Sequence, residues 1–422
     1  MAEMDRRDFV KTSAVATGLL LLKSKAAFGY EANSAVRLGL LGCGNRGTAV
    51  ASAFAKNGAR IAALGDIFPD KLAKGKEHFD QLNATLGQPA IEDSLLFHGP
   101  DSFKQMAHAK DVDMVLIATP PWFHVEHLDT IVDAGKHVYC EKPVGVDIAQ
   151  AKHALEIGKR VKDRLSVDVG FEVRSAPPIA AVIEKVKGGA LGKLASITGT
   201  YFAPASTEKP VVGTSHDEWR LRNWLWDRAL SGDILVEQNI HIIDLCNWVL
   251  GAHPLKATAT GGRNILTHPG DCWDNYQVVY TYPNDVHVSF SSVQFSNPGF
   301  NAGIQIFGAN GMAEAPYAGA VRIVGDTPWN WGDAASAQAQ GKFAANGAFG
   351  DNLAQADHEK TRTFLESITS GRFHNQIAAG VDSALSCMLG RMAGYTARET
   401  TWQDLLTHGE TYPLGMNISQ FA

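Results

Sequence analysis

The chain of 422 residues is poor in cysteine, and its five, Cys43, Cys140, Cys246, Cys272 and Cys387, fall at spacings that match no paired metal-binding pattern. That excludes a cysteine-built zinc module and a disulfide scaffold. Several of the five sit in apolar contexts and read as small buried hydrophobes, so no disulfide is expected. An excess of one charge is also missing. With 38 basic against 44 acidic residues spread along the chain, a net charge of −6, there is no basic patch of the kind nucleic acid or an acidic membrane requires. Beyond the N-terminal segment no apolar run reaches the roughly 20 residues of a membrane span. What remains is a soluble protein that handles a small molecule, long enough for two domains of roughly 100–250 residues each.

The first thirty residues stand apart. "MAEMDRRDFVKTSAVATGLLLLKSKAAFGYE" places Arg6 and Arg7 ahead of Phe9 and Lys11, then a modest apolar run from Ala14 to Leu22 and small residues at Ala26 and Ala27. It resembles a bacterial twin-arginine export signal, which implies a periplasmic protein, by a route that carries proteins already folded and often around a cofactor. Residues 1–30 are therefore set outside the fold.

"AVRLGLLGCGNRGTAVASAFAKNGARIAALGDIFPDKL" opens with an apolar strand, Val36 to Leu41, followed by Gly42-x-Gly44-x-x-Gly47, an Ala-rich helix, and a second strand from Ala59 that ends at Asp66. A lone glycine triplet is weak evidence; strand, turn, helix, strand and acid in this order predict a dinucleotide site. Gly42 makes the tight turn, Gly44 lets the backbone approach a pyrophosphate, and Gly47 lets the helix pack closely. The helix start at Asn45, Arg46 and Gly47 turns its amides and positive dipole end to the phosphates. Asp66 would accept from a ribose 2′-hydroxyl and repel a 2′-phosphate. NAD is therefore favoured over NADP, although Lys71 is close enough in sequence to reach back toward a 2′-phosphate. Two further strand ends, at Thr119-Pro120-Pro121 and at Glu141-Lys142-Pro143, fall where ligands sit in an open parallel sheet, with His124 just after the first.

"SGDILVEQNIHIIDLCNWVLG", Ser231 to Gly251, is apolar on most of its circumference, yet holds Glu237, His241 and Asp244. As one helix, capped by Asp233 and stopped by Gly251, it puts all three on one face. A buried polar stripe faces either an interior hydrogen-bonded network or a pocket. A metal site built from the three lacks a second His or Cys cluster to complete it, so no metal is expected.

The chain resembles the glucose-fructose oxidoreductase and inositol dehydrogenase family, Gfo/Idh/MocA. The resemblance rests on "GLLGCGNRG", "ATPPWFH", "EKPVG", "GFEVRSAPP", the His241/Asp244 helix and the late "LGRMAGYTARETTWQDLL", in the family's order. It implies an NAD-dependent oxidoreductase of a sugar, polyol or glycoside, with Lys142 and His241 flanking the reacting carbon beside the nicotinamide. The family's acid four positions before the His, most often Asp, is Glu237 here, and Asp244 also fits its pattern. Histidine suits the task of taking a hydroxyl proton near neutral pH, so His241 is the expected base. Glu237 or Asp244 would orient it, and Lys142 would donate to the developing oxygen charge. Glu141 and Lys142 of the same motif join the expected cofactor contacts. The polar stripe then becomes one wall of a substrate pocket.

The predicted fold class is an α/β Rossmann domain with a doubly wound parallel sheet at 35–160, followed by an α+β domain at 161–422 with a large, mostly antiparallel sheet. Its strands are read from "ASITGTYF", "NYQVVYTYP", "DVHVSFSSVQF" and "IQIFGANGMAEA". The resemblance implies that this sheet supports a dimer or tetramer. "DEWRLRNWLWDRALSGD" supplies Trp219, Arg220, Arg222, Asn223, Trp224, Trp226, Asp227 and Arg228. Rings for sugar C–H faces and forked donors for hydroxyls suggest a substrate contact, with Arg222, Asn223 and Trp224 the leading members; a structural loop packed by its tryptophans is the alternative. Arg174 and Asn275 or Tyr276 are further substrate candidates, and "PWNWGDAASAQAQGKFAANGAFGDN" reads as a long surface loop. Two other functions stay open. Some relatives cleave glycosides by transient oxidation, with a pattern like Cys-Glu-Val-Pro where this chain has Cys140-Glu141-Lys142-Pro143, and the lysine favours net oxidation. A silent NAD- or sugar-binding protein is the other.

Overall fold

The structure, a computed structural model, describes residues 35–204, 215–295, 299–332 and 342–422. The twin-arginine segment lies outside them. Six strands, β1 (Arg37–Leu41), β2 (Arg60–Asp66), β3 (Leu96–His98), β4 (Met114–Ile117), β5 (His137–Cys140) and β6 (Val167–Val169), form a parallel sheet in the order β3-β2-β1-β4-β5-β6. The central strands are apolar at nearly every position because both faces are covered: all four residues of β4 are buried, and four of the five in β1. Strand order reverses between β1 and β4, and the crevice outside their carboxyl ends is where such sheets bind ligands.

The sheet runs past the expected boundary at residue 160, since β6 follows the helix Ile148–Val161. A late helix, Ala356–Thr369, also returns to pack on the helix Asn45–Lys56 that follows β1. The tie is ionic as well as apolar. Lys360 on the late helix places Nζ 3.0 Å from Asp168 of β6, whose other carboxylate oxygen lies 3.0 Å from His374 Nδ1. Phe364 meets Phe54 and Tyr139 edge-on beside them.

The second sheet has nine strands: β7 (Leu194–Phe202), β8 (Lys256–Gly262), β9 (Asn275–Thr281), β10 (His287–Val293), β11 (Asn301–Gly308), β12 (Gly311–Pro316), β13 (Arg322–Gly325), β14 (Trp329–Asn330) and β15 (Thr400–Thr401). Their order is β14-β13-β12-β11-β7-β10-β9-β8-β15. β7 and β10 pair in parallel and the other neighbours are antiparallel. Alternation sets the faces: in β9, Tyr276, Val278 and Tyr280 point inward while Gln277 and Val279 are exposed. The inner face is covered by the helices Ile240–Leu250 and Ile377–Thr396.

The stretch Ser231–Gly251 is not one helix. It forms Ile234–Glu237 and Ile240–Leu250, with a break at Gln238-Asn239. Asp233 does cap the first piece, accepting from the Ile234 amide, and Gly251 ends the second in the left-handed region at φ 61°. The region read as a surface loop is anchored at its far end. Phe343 and Phe349 pack against Phe300, and Phe349 also meets Tyr317, which fixes residues 343–349 against the body of the protein.

Candidate functional site

A cleft of about 510 Å³ runs along the carboxyl ends of the parallel strands, within the roughly 300–1,000 Å³ range of small-molecule sites. Its floor is the glycine turn. Gly42 sits at φ 93°, and a Cβ there would lie 2.5 Å from the Ala118 carbonyl oxygen; a Cβ on Gly47 would lie 2.1 Å from the Gly42 carbonyl oxygen. Those two glycines are demanded by packing. Gly44 is different: a Cβ there would meet nothing within 4 Å, because the position opens onto the cleft. The backbone is thus left bare where a phosphate would approach the start of Asn45–Lys56. Asp66, at the end of β2, accepts from the Cys43 amide (2.8 Å) and the Phe68 amide (2.9 Å), which aims its carboxylate along the cleft wall. Burial raises its pKa, opposed by those two amides. These residues fit a dinucleotide.

At the other end the cleft meets the second domain. Lys142, just past β5, donates from Nζ to Glu237 Oε1 (2.7 Å) and to the Glu237 backbone oxygen (2.5 Å). The break at Gln238-Asn239 lets Glu237 turn to Lys142 rather than continue the stripe to His241. His241 lines the same end and presents Nδ1 to Glu172 Oε2 at 3.8 Å. Burial, then the positive charges of Lys142 and Arg46, push the His241 pKa well below its ordinary value, so the ring is neutral near pH 7.

Behind His241 lies a buried charge cluster. Arg46 donates from Nε to Glu141 Oε1 (2.8 Å) and from both terminal nitrogens to Asp357 (2.8 Å each), and its Nη2 is 3.6 Å from Glu172 Oε2. Three carboxyl groups share one guanidinium. Burial pushes the Glu172 carboxyl up to about 8, with Arg46 pulling it down and Asp357 and Glu141 pushing it further up.

Several expected contacts lie elsewhere. The side chain of Glu141 faces Arg46 rather than the cleft, and the guanidinium of Arg46, although on the cleft wall, is committed to carboxylates. The ring nitrogens of His124 lie 2.8 Å from the Pro143 carbonyl and 2.7 Å from the Thr119 carbonyl. This imidazole, off the cleft wall, ties two strand-end loops together. Asp244 does not orient His241. It accepts two bonds from Arg174 (2.7 Å each) and one from Ser383 (2.7 Å), which removes Arg174 as a cleft residue as well. Tyr276 is fully buried and donates to Asp233 at 2.8 Å, and Asn275 bonds Gly262, Asn264 and Asp274.

Asn223, Trp224 and Trp226 do line the cleft, as do Thr119, Pro120 and Lys71. Arg222 lines its opposite end. Its guanidinium lies 3.9 Å over the Phe68 ring and pairs with Asp70 (2.9 Å) and Glu218 (2.7 Å), which places it near Asp66 and away from His241. Arg220 pairs with Asp227, and Arg228 lies over Tyr395 at 4.5 Å. Among the described residues no group of three or more His, Cys, Asp or Glu could hold a metal ion.

The sequence reading missed Glu172, Tyr201, Gln238 and Asn346 on the cleft wall, and Ile418 and Ser419 at its Asp66 end. Glu172 lay inside the quoted "GFEVRSAPP" and could have been flagged as an acid among apolar residues at the end of a strand. Ile418 and Ser419 carried no such signal.

Comparisons with known proteins bear on the fold and the family. Residues 36–169 match the profile of an "Oxidoreductase family, NAD-binding Rossmann fold", and residues 179–314 match the "GFO/IDH/MocA C-terminal domain". The chain is 26% identical to inositol 2-dehydrogenase of Rhizobium meliloti (strain 1021) over 283 residues, 66% of this chain and 75% of that protein. It is 32% identical over 152 residues to a glycosyl hydrolase family 109 protein of Solibacter usitatus (strain Ellin6076), 34% of each chain. The structure of a levoglucosan dehydrogenase, in complex with NADH and levoglucosan, shares the fold with a TM-score of 0.66 at 19% identity, covering 87% of this chain and 99% of that one. With its nucleotide-binding half and its second domain each matching the family's own profiles, the chain belongs to the GFO/IDH/MocA oxidoreductases.

Proposed function

We propose that the protein oxidises a secondary hydroxyl of a sugar, polyol or glycoside, or reduces the corresponding ketone, with NAD as hydride carrier. One observation carries this reading. Lys142, from the end of β5, and His241, from the second domain, line the same cleft as the bare glycine turn and Asp66. The names of the Rhizobium and levoglucosan relatives support the substrate class. Asp66 and the absence of an arginine in the residues that follow it favour NAD over NADP.

Bound NAD supplies the hydride acceptor. His241 turns Nδ1 toward Glu172, which leaves Nε2 to take the substrate's hydroxyl proton. Lys142 keeps one N–H beyond its two bonds to Glu237 and donates it to the substrate oxygen, where charge grows as the proton leaves. Glu237 fixes the ammonium's position, and Trp224 and Asn223 offer the substrate a ring face and an amide. The N-terminal segment supports twin-arginine export to the periplasm with NAD retained. Exposed outer-face residues such as Val279 and Val324 support assembly through the second sheet into a dimer or tetramer.

The test is a screen of hexoses, inositols, sugar acids and glycosides for NADH formation, joined to mass spectrometry of nucleotide released on denaturing natively purified protein. NADH from at least one compound, with Lys142→Ala inactive, is the expected result; no turnover of any member and no dependence on Lys142 would defeat the reading. The Solibacter relative favours a second reading, redox-neutral glycoside cleavage. Release of an aryl alcohol from aryl glycosides with no net NADH would establish it.

A further inference from the structure

Near the reacting end of the cleft His241 Nδ1 and Glu172 Oε2, like Gln238 Oε1, are buried and have no hydrogen-bond partner among the described residues. His241 Nδ1 and Glu172 Oε2 face each other at 3.8 Å. Unpaired buried polar atoms are rare, and two that share a line of approach form a hydrogen bond in waiting. Catalytic hydrogen bonds commonly tighten only in the substrate complex. Glu172 is held by the turn Glu172–Ser175 that follows β6, so it reaches His241 from the first domain, whereas His241 belongs to the second.

We propose that Glu172 is the positioning residue for His241, exchanging one proton with Nδ1 and so deciding whether the cleft-facing Nε2 acts as a base or as an acid. The inference rests on the reading of His241 given above and adds a partner to it. With Glu172 ionised, Nδ1–H donates to the carboxylate and Nε2 carries the lone pair that takes the substrate's hydroxyl proton as the carbon loses its hydride to the bound nicotinamide. The Nδ1 proton then passes to Glu172, which leaves a carboxylic acid and a neutral ring protonated at Nε2. Ketone reduction runs the same transfers backward: Nε2–H gives its proton to the growing alkoxide and Nδ1 takes one from the acid. One proton is released per alcohol oxidised, and Glu172 is the group that receives it.

The charges around Glu172 are arranged for a group that changes state. Arg46 faces it from the start of the helix after β1, Glu141 from the end of β5, and Asp357 from the late helix; His241 faces it from the second domain, with Lys142 close to that ring. The buried hydroxyls of Tyr139, Tyr201 and Tyr317 are its other titratable neighbours. A carboxyl with a pKa of about 8 is mostly an acid at pH 7 and mostly a carboxylate at pH 9. Alcohol oxidation therefore rises with pH through about 8 and ketone reduction falls over the same interval.

The test is Glu172→Gln in the full-length protein loaded with NAD⁺. Its oxidation rate should lose the rise through pH 8 and fall roughly 10²-fold at pH 9, with NAD⁺ affinity unchanged, while Glu172→Asp restores the pH limb. A Glu172→Gln enzyme with the wild-type pH profile would overturn the proposal. A second measurement needs neither a substrate nor a variant that alters Glu172: the ¹⁵N shifts of His241 in the wild type, assigned by loss of its signal in His241→Gln. The two ring nitrogens should exchange character between pH 6 and 10 with a midpoint near 8, and a tautomer constant across that range would sink the idea. If no compound yields NADH, the sugar reading fails, and the ¹⁵N titration still decides the role of Glu172.

Discussion

Gly44→Ala separates ligand binding from folding, because the added methyl meets no protein atom within 4 Å. The backbone at Gly44, φ −76° and ψ −175°, is open to alanine, so no strain is introduced. Gly44 is the N-cap of Asn45–Lys56, and alanine is the poorer cap by about 0.5 kcal/mol. Against that, the unfolded chain loses conformational freedom worth about 0.4–1 kcal/mol. The two nearly cancel, and the thermal midpoint should stay within a degree or two of wild type. Binding should not. A methyl projecting where the pyrophosphate approaches acts as an overpacked contact, costing about 1–3 kcal/mol, which is roughly 5- to 150-fold in Kd. NADH fluorescence titration beside a thermal melt measures both. Gly47→Ala is the control, since its Cβ would fall 2.1 Å from a backbone oxygen and stability itself must drop. A Gly44→Ala protein that binds NADH as tightly as wild type would show that the pyrophosphate lies elsewhere and would remove the glycine turn from the site.

Asp66→Ala should weaken NAD binding and narrow the preference over NADP, read from the two dissociation constants; an unchanged ratio would leave Asp66 as a strand-end acid that only caps its own turn. Glu237→Gln removes the charge partner of the Lys142 ammonium, so kcat should fall while NAD affinity holds; a drop in affinity alone would place Lys142 on the nucleotide instead. Lys360→Met leaves the buried Asp168 with His374 as its remaining ion-pair partner and should cost about 1–3 kcal/mol in denaturant unfolding, and a loss under about 1 kcal/mol would refute the tie between the late helix and the first sheet. Burial raises the Asp168 carboxyl, but Lys360 and His374 outweigh it and hold the pKa below the ordinary value. The unfolded state therefore takes up that proton first as pH falls. The stabilisation is complete above about pH 4, declines below it, and should shrink on the acid limb of Lys360→Met, where His374 remains beside the carboxylate.

Much of the first domain is legible in the residues because its signals are local. The glycine spacing, the apolar strands and Asp66 lie within one strand-turn-helix-strand unit, and each glycine's task follows from what its missing Cβ would strike. The charge partners are not local, and there the pattern misleads. Spacing along a helix sets Glu237, His241 and Asp244 on one face, but spacing cannot tell which carboxylate meets which cation across 70 or 95 residues. Arg174 takes Asp244, Lys142 takes Glu237, and the acid beside His241 comes from another domain. The break at Gln238-Asn239 is silent for the same reason: both residues keep helical backbone angles, and the interruption serves Lys142, which lies far away in sequence. Arg222 was drawn toward a sugar by the density of rings around it, whereas the ring it covers is Phe68, at the nucleotide end.

The central claim, that Lys142 and His241 carry out hydride chemistry at one end of a nucleotide cleft, is tested most directly by a single turnover. Protein preloaded with one equivalent of NAD⁺ is mixed with the compound that the screen identifies, and NADH absorbance is followed in stopped flow for the wild type and for His241→Ala. Both must first bind NAD⁺ equally and give the same circular dichroism. The account predicts a burst of NADH in the wild type and a chemical step slowed by roughly 10²–10⁴-fold in His241→Ala. A folded, NAD⁺-loaded His241→Ala protein that forms NADH at the wild-type rate would contradict it.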